Sequence, residues 1–492
     1  MSSQWIRISP LDNVAVALEP LAAGTDVAGV PLLSDLPAGH KAAVAAIPAG
    51  EQVIKYGYPI GQAVRDIAPG EHVHTDNTKT LLSDSQEYVR EPVPVEALST
   101  RMDGKSFLGY PRRDGRTGTR NEIWIIPTVG CVNKTAERLA AMADREFAGR
   151  CDGVYSFTHP YGCSQLGEDH EATRTILADL VRHPNAGGVL VLGLGCENNG
   201  IAGFRALLTD REPERVKFMS TQDVEDELLT AMELLDELIG PVEQDRRVPC
   251  PVSDLVVGMK CGGSDGLSGI TANPLVGCFS DRIVAAGGTS ILTEVPEMFG
   301  AETILMNRCV NEEVFSKTVD LVNGFKEYFL KHDQVVYENP SPGNKDGGIT
   351  TLEDKSLGCI QKGGRAPVSD VIPYGGRTDR KGLVLLNGPG NDIVSTTAMT
   401  AAGATVILFT TGRGTPLGAP VPTIKVSTNS ALAEKKKSWI DFNAGVLAEG
   451  ADPEAVCDDF CECILDTASG EQSRNEINGY REIAIFKDGV TL

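Results

Sequence analysis

The chain has 492 residues, of which 41% are hydrophobic; at roughly 150 residues per domain this length predicts about three domains, each with its own core. The excess of 67 acidic over 45 basic residues gives a formal net charge of −22, which disfavours nucleic-acid or anionic-membrane partners because such partners attract clustered cations. The start, MSSQWIRISP, lacks the pattern of a secretion signal, and no apolar stretch is long enough for a spanning helix. We therefore expect a cytoplasmic protein whose 12 cysteines are reduced thiols.

Residues 1–82 have the pattern of a small all-β module. Short apolar stretches alternate with Gly- and Pro-containing turns at intervals of about ten residues. Three of these turns stand in similar phrases, LPAGHK, IPAGE and IAPGEHVH. Residues 83–107 are polar and interrupted by proline, which is the composition of a linker.

From residue 108 the pattern changes to alternating strands and helices, which predicts parallel βαβ units. A polar break at 241–251 divides this part into residues 108–245 and 246–492. Strands are predicted near 123–126, 154–157, 188–192, 216–219, 254–258, 290–293, 382–386 and 404–409. Helices are predicted over 133–148, 168–182, 223–238, 310–331, 391–402, 431–439 and 452–467. The fold class is therefore multidomain α/β, with a small N-terminal β-module followed by two Rossmann-like parallel-sheet regions.

Cysteines follow several of the predicted strands, each beside glycine: Cys131, Cys163, Cys196 and Cys261. Ligands of open α/β sheets bind at the carboxyl ends of the strands, so these thiols are expected on the functional rim. Thiolates are soft metal ligands, which makes a metal or cluster site one interpretation. The other is that cysteine, a small apolar residue, simply packs beside glycine where a strand ends.

The segment Glu71-His72-Val73-His74 carries two of the seven histidines. On a strand, His72 and His74 point to the same side, so both imidazoles can hold one metal ion while Val73 packs behind them. A pair of surface histidines on a β edge is the alternative.

Gly-rich loops carry most of the remaining polar candidates. The loop 260–269 contains Ser264 and Asp265 and precedes a helix, so that it offers backbone N–H groups to an anion. The stretch 338–366 has little periodicity and is expected to be a functional loop or a misread element. It mixes charged and hydroxyl side chains, a composition suited to a polyhydroxylated acid, although a surface loop packed by its own side chains is the alternative.

Ten phrases of the chain resemble, in order, those of the altronate/galactarate dehydratase family: GEHVHTDN, RNEIWIIPTVGCVN, HPYGCSQLGEDH, VLVLGLGCENN, CGGSDGLSGITANP, TEVPEMFGAE, ENPSPGNKDGGITTLEDKSLGC, PGND, TTGRGTP and REIAIFKDGVTL. They extend from the N-terminal module to the last residue. The resemblance implies an SAF-type N-terminal module and a hydro-lyase that requires Fe²⁺ or Mn²⁺ and acts on a sugar acid. The implied reaction converts D-altronate into 2-dehydro-3-deoxy-D-gluconate.

Such a dehydration removes the C2 proton, α to a carboxylate, and expels the C3 hydroxyl; it requires a base, an acid and a group that stabilises negative charge. We assign metal binding to His72 and His74, with Cys131, Cys163 and Cys196 as the alternative set. Proton transfer is assigned to His170, Lys355 and Glu197. Substrate binding is assigned to Ser264, Asp265, Asn344, Lys345 and Arg413.

Alternatives remain for both substrate and cofactor. Galactarate or sulfolactate could replace altronate, an iron–sulfur cluster could replace the single ion, and a non-catalytic sugar-acid binding protein is the interpretation from another class. We expect a homodimer with a small anionic sugar acid as its ligand and with neither a nucleic-acid nor a membrane partner.

Overall fold

The computed structural model describes residues 4–82, 87–94, 97–210 and 214–492. Residues 83–86 and 95–96 of the expected linker therefore lie outside the described part. No described helix is both long and apolar enough to cross a membrane.

The N-terminal module is built from short antiparallel strands. They are β1 (Trp5–Ile6), β2 (Val14–Ala17), β3 (Asp26–Val27), β4 (Val30–Pro31), β5 (Lys41–Ala43), β6 (Gln52–Lys55), β7 (Tyr58–Ala63), β8 (His72–Val73) and β9 (Thr78–Lys79). One sheet has the order β1-β2-β5-β8, a second has the order β6-β7-β9, and β3 and β4 form a separate pair. The β2 strand, VAVA, is buried along its whole length and anchors the module.

The central region contains a parallel sheet of order β13-β12-β14-β15. Its elements are β10 (Ser106–Pro111), β11 (Thr117–Gly118), β12 (Glu122–Pro127), α1 (Asn133–Glu146), β13 (Val154–Ser156), α2 (Gly167–Val181), β14 (Ala186–Gly193), α3 (Ile201–Ala206), β15 (Val216–Ser220), α4 (Glu227–Val242) and β16 (Val248–Pro251). Every residue of β12 and β14 is buried, as expected for parallel strands covered by helices on both faces.

The C-terminal region contains a larger parallel sheet of order β19-β20-β18-β17-β21-β22-β23. Its elements are β17 (Val256–Cys261), α5 (Ala272–Ala285), β18 (Thr289–Leu292), α6 (Glu302–Met306), α7 (Glu312–Lys331), α8 (Pro342–Asp346), α9 (Leu352–Cys359), β19 (Val368–Ile372), β20 (Gly382–Leu386), α10 (Asp392–Ala401), β21 (Val406–Thr411), β22 (Thr423–Ser427), α11 (Ser430–Lys435), β23 (Phe442–Asn443), α12 (Pro453–Ala468) and α13 (Arg474–Ile477).

Buried polar contacts hold the central and C-terminal regions together. Nε of Arg120, just before β12, donates to Oε1 of Glu476 in α13 at 2.7 Å. Beyond α13 the chain returns to the central sheet, where Arg481 donates to the buried carboxylate of Glu122 at 2.8 Å. The two sheets therefore keep a fixed relation.

The predicted fold class is confirmed, and three local expectations differ from the structure. The stretch 338–366 is not structureless, because it contains α8 and α9. Both helices are short and contain glycine, so the helical spacing of apolar residues is not apparent in the sequence. Strands β19 and β22 were not expected, since Ser, Asp and Lys interrupt their apolar runs. Finally, Cys278 of α5 and Cys457 of α12 form a disulfide, so the expectation that all cysteines are reduced is wrong for this pair.

Candidate active site

Three imidazoles of the N-terminal module meet where it faces the C-terminal region. His40 precedes β5, and His72 lies in β8, which pairs antiparallel with β5. Nδ1 of His40 is 3.0 Å from Nε2 of His72, and the rings of His72 and His74 stack with centroids 5.4 Å apart. One ring nitrogen from each of the three lies within 4.8 Å of the others. His72 and His74 thus lie on the same side, and His40 joins them.

The histidine cluster, defined as His40, His72 and His74, is suited to a divalent ion. Burial lowers the pKa of His72 and of His74 to about 4, and it lowers the pKa of His40 as well. At neutral pH the rings are therefore uncharged and have lone pairs to offer, as iron and manganese sites require. Nε2 of His40 is 3.2 Å from the carbonyl oxygen of Asp346, a contact that fixes the ring as outer-shell partners do in metal sites.

Two buried lysines attach this module to the helix that carries Lys355. Nζ of Lys41 lies 2.9 Å from Oδ2 of Asp354, and Nζ of Lys55 lies 3.0 Å from Oδ1. Burial opposes ionisation of Asp354, but the two ammonium groups outweigh it and hold the pKa of this carboxyl well below its usual range. Lys41 also donates to Oγ1 of Thr350, which is 3.2 Å from Nδ1 of His74. The histidine cluster and α9 are therefore parts of one interface.

Lys355 is buried, and its ammonium group faces the carboxylate of Glu297. Its Nζ lies 2.9 Å from Oε1 of Glu297 and donates to Oδ1 of Asn339 at 3.0 Å and of Asn344 at 3.2 Å. Burial disfavours the ammonium, but the charge of Glu297 outweighs it and raises the pKa of Lys355. Lys355 is therefore in its ammonium form in this state.

Behind this pair lies a second charged layer. Glu294 accepts from both Lys260 and Lys362, and all three side chains are about 1% exposed or less. Glu294 has a φ of 67°, a left-handed conformation that is uncommon for a residue with a side chain and is found at functional sites. Burial opposes ionisation of Glu297, but the charges of Lys355, Lys260 and Lys362 outweigh it and lower the pKa of this carboxyl, so the layer keeps Glu297 ionised.

Two cysteines complete this buried layer. Sγ of Cys261 is 3.2 Å from Sγ of Cys359, which is 2.9 Å from Oε2 of Glu297. The hydrogen bond with Cys261, together with burial, raises the pKa of Cys359, so that it is a neutral thiol at physiological pH. Nζ of Lys362 lies 2.9 Å from Sγ of Cys261.

The expected substrate-binding residues lie beside Lys355, but they differ in availability. Asn344 donates to the carbonyl of Ser264 at 2.8 Å. Asp265 is half-buried, and its carboxylate accepts hydrogen bonds from loop partners that include Oγ of Ser268 and Oγ1 of Thr428, so that it ties loops together. Lys345 is half-buried and Arg413 is exposed, which leaves these two cations reachable by an anion.

The space between these groups is narrow. Lys55, Ser264 and Lys355 line a cavity of about 10 Å³, which has room for about one water molecule. A sugar acid enters there only if the N-terminal module and the C-terminal region separate locally.

The two other expected proton carriers lie in the central region. His170 and Glu197 line a polar cavity of about 760 Å³ together with Arg174, and Lys355 is not among its lining residues. The carboxylate of Glu197 accepts from the backbone N–H of Gly195 at 2.6 Å and from Oγ1 of Thr128 at 2.7 Å. These bonds outweigh the effect of burial and lower the pKa of Glu197, so it is an ionised loop anchor.

Sequence reasoning missed His40 and the pair Glu294 and Glu297. His40 stands in LPAGHK, whose likeness to IAPGEHVH was visible, and the two phrases in fact pair as β5 and β8. Glu294 follows a predicted strand in the same way as the cysteines do. Because ligands of such sheets bind where strands end, the position of Glu294 after a strand indicates this residue as well.

Comparison with known proteins covers the same three parts of the chain. Residues 3–81 match the family model "Altronate/galactarate dehydratase SAF domain". Residues 109–243 match "D-galactarate dehydratase/Altronate hydrolase, second domain", and residues 252–491 match "D-galactarate/Altronate dehydratase, C-terminal".

Full-length relatives agree with these matches. The chain is 54% identical to the altronate dehydratase of Escherichia coli (strain K12) over 99% of this chain and 100% of that protein. It is 52% identical to the altronate dehydratase of Bacillus subtilis (strain 168), over 99% of each chain. It is 35% identical to the galactarate dehydratase (L-threo-forming) of Escherichia coli (strain K12), over 98% of this chain and 96% of that one.

Proposed function

The chain belongs to the altronate/galactarate dehydratase family and is a hydro-lyase, and we propose that it converts D-altronate into 2-dehydro-3-deoxy-D-gluconate with Fe²⁺ or Mn²⁺. Two altronate dehydratases are 54% and 52% identical to it, against 35% for the galactarate dehydratase, which supports altronate as the substrate. The observation that carries the proposal is the placement of three neutral imidazoles on one interface with the buried pair of Lys355 and Glu297.

The histidine cluster would hold the metal ion. When bound, such an ion supplies a Lewis acid that stabilises the negative charge built up when a carbon next to a carboxylate loses its proton. The three rings suit this ion because burial keeps them uncharged and because His40 and His74 are oriented by Asp346 and Thr350.

Lys355 would act as the acid of the reaction. It is held in its ammonium form by Glu297, so it has a proton to give to the departing C3 hydroxyl. Its other partners, Asn339 and Asn344, present side-chain amides that can exchange this contact for substrate hydroxyls. Lys345 and Arg413 would attract the substrate carboxylate against the net charge of −22.

The experiment is an assay of 2-keto acid formation, in which altronate and galactarate lose water to give a 2-keto-3-deoxy sugar acid and sulfolactate would lose sulfite to give pyruvate. Metal-free protein should be inactive, and added Fe²⁺ or Mn²⁺ should restore activity, with the highest kcat/KM for altronate. Faster turnover of galactarate or sulfolactate would refute the substrate assignment, and full activity without added metal would refute the metal requirement.

A substitution in the histidine cluster tests metal binding independently of catalytic activity. His72→Ala should abolish retention of Mn²⁺ supplied to the metal-free protein, measured by elemental analysis after dialysis. His332→Ala is the matched control, because His332 contacts Asp488 far along the chain from the cluster and is partly exposed. Full metal occupancy in His72→Ala would rule out this ligand set.

A further inference from the structure

Three exposed, free cysteines lie at the ends of three neighbouring parallel strands of the central region. Cys131 follows β12, Cys163 follows β13 and Cys196 follows β14, and β12 lies between the other two strands. Neighbouring strands are about 4.8 Å apart, and all three loops leave the carboxyl edge of the sheet, where such sheets bind ligands. The three thiols therefore share one rim.

Hydrogen bonds fix the three loops relative to one another. The backbone N–H of Gly130, next to Cys131, donates to the carbonyl of Tyr161 at 2.8 Å. The backbone N–H of Ser164, next to Cys163, donates to Oδ1 of Asn198 at 2.8 Å. The loop of Cys163 is thus bonded to both of the other loops.

The spacing of the thiols does not suit a single ion. Within the described ranges, Cys131, Cys163 and Cys196 do not form a group whose ligand atoms all lie within 4.8 Å of one another. An iron–sulfur cluster contains several irons and sulfides, so its thiolate ligands stand farther apart than those of one ion.

Each loop also carries an amide with an unsatisfied polar atom. In the described part of the chain, Oδ1 of Asn133, Nε2 of Gln165 and Oδ1 of Asn199 are buried without a hydrogen-bond partner. Gln165 and Asn199 are only 2% and 1% exposed. Buried polar groups are normally paired, and these three stand two or three residues after the three cysteines. Hydrogen bonds to the sulfurs are a normal part of cluster sites, and Nε2 of Gln165, two residues after Cys163, is a donor without a partner among the described residues.

A polar cavity of about 760 Å³ lies beside the loop of Cys196. Its lining includes Gly195, Glu197, Asn198 and Arg174, but none of the three cysteines. A four-iron cluster held by three cysteines has one iron without a cysteine ligand.

We propose that Cys131, Cys163 and Cys196 bind a four-iron iron–sulfur cluster that has one iron without a cysteine ligand. The three thiols bind as thiolates and release three protons to solvent when the cluster is inserted. The site is separate from the histidine cluster and does not depend on the dehydration proposed above.

The test uses the full chain, purified without oxygen and reconstituted with Fe²⁺ and sulfide. We expect about four acid-labile sulfides per chain and about four irons in addition to any iron held by the histidine cluster, with the broad visible absorbance of an iron–sulfur cluster. Cys131→Ser, Cys163→Ser and Cys196→Ser should each lose most of the iron and sulfide. Cys151→Ser is the matched control. Cys151 is a free, half-buried cysteine just before β13, so it lies at the amino ends of the strands, whereas the three cysteines follow their carboxyl ends.

A measurement on the unsubstituted chain tests the proposal even if the serine variants fail to fold. Alkylation followed by mass spectrometry should label the three cysteines in the cluster-free protein and spare them in the reconstituted protein. Absence of acid-labile sulfide from the reconstituted protein, zinc in place of iron, equal labelling in both states, or cluster retention in all three serine variants would each overturn the proposal. His72→Ala should keep its cluster, so a failure of the altronate proposal is distinguishable from a failure of this one.

Discussion

Nζ of Lys41 in the N-terminal module lies 2.9 Å from Oδ2 of Asp354 in the C-terminal region, and both side chains are only 1% exposed. The other oxygen of Asp354 is bonded to Lys55. One carboxylate therefore forms ion pairs with two buried cations that belong to a different part of the chain. Removal of its charge leaves both cations buried without their anionic partner.

Asp354→Asn should lower the free energy of unfolding by about 3–5 kcal/mol, the usual cost of removing one partner of a buried ion pair. It should also make the segment between the N-terminal module and residue 106 more sensitive to limited proteolysis, because the module is then weakly attached. Urea denaturation and protease digestion measure the two effects.

The control is an exposed pair that also joins distant parts of the chain. Lys105 lies 2.7 Å from Glu462, with side chains 47% and 58% exposed. Lys105→Met should change the free energy of unfolding by less than about 1 kcal/mol. Equal effects of the two substitutions would contradict the role given to Asp354.

Much of the fold could be predicted because its strands are long apolar runs. The strands predicted near 123–126 and 188–192 are β12 and β14, which are buried on both faces and read clearly in the sequence. Strand β22 was missed because it contains Lys425, a charged residue that lies fully inside the protein. A polar residue on a central strand breaks the pattern on which the prediction depends.

The site was harder to predict, because it is assembled from segments far apart in the sequence. Lys41 and Asp354 are separated by 313 positions, and no local pattern indicates that they meet. His40 stands alone in its segment, and only the pairing of β5 with β8 brings it to His72. Residue type indicated His72, His74 and Lys355, while their partners required the tertiary structure.

His40→Ala should reduce metal retention as strongly as His72→Ala does, although only the His72-His74 pair is evident from the sequence. The reason is geometric, since Nδ1 of His40 lies 3.0 Å from Nε2 of His72 and a third imidazole completes the donor set. Elemental analysis after dialysis, alongside the His332→Ala control, measures the effect. Unchanged occupancy in His40→Ala would show that His40 is only a neighbour of the site.

Lys355→Met should lower kcat by about 10²–10⁴-fold, the range for loss of a general acid. Glu297→Gln tests the cause of the protonated state, since it removes the charge that raises the pKa of Lys355. The pKa of Lys355 then falls, so the loss of activity on the alkaline side should begin at a lower pH than in the parent protein. Profiles of kcat against pH for both proteins measure this shift. An unchanged alkaline limb would exclude Lys355 as the group that titrates.

The burial of His183 predicts how the free energy of unfolding depends on pH. Its ring is fully buried, stacks on Trp124 with centroids 5.1 Å apart and accepts from the backbone N–H of Asn185 at 3.1 Å. Burial lowers its pKa from 6.5 to about 3. Between these values the unfolded chain binds a proton that the folded chain does not. The stability from the neutral ring is therefore complete above pH 6.5 and is lost as the pH falls toward 3.

His183→Gln should thus destabilise the protein at pH 7, while the difference from the parent protein shrinks by about 1.4 kcal/mol for each pH unit below 6.5. Burial raises the pKa of Asp179 and of Asp441 to about 6, and these carboxyls have the opposite effect, with stability lost as the pH rises. Because both carboxyls are present in both proteins, their effect cancels in the difference. Urea titrations between pH 7 and pH 4 measure the difference in the free energy of unfolding between the two proteins. A difference that does not change with pH would show that His183 is not the group whose protonation destabilises the protein.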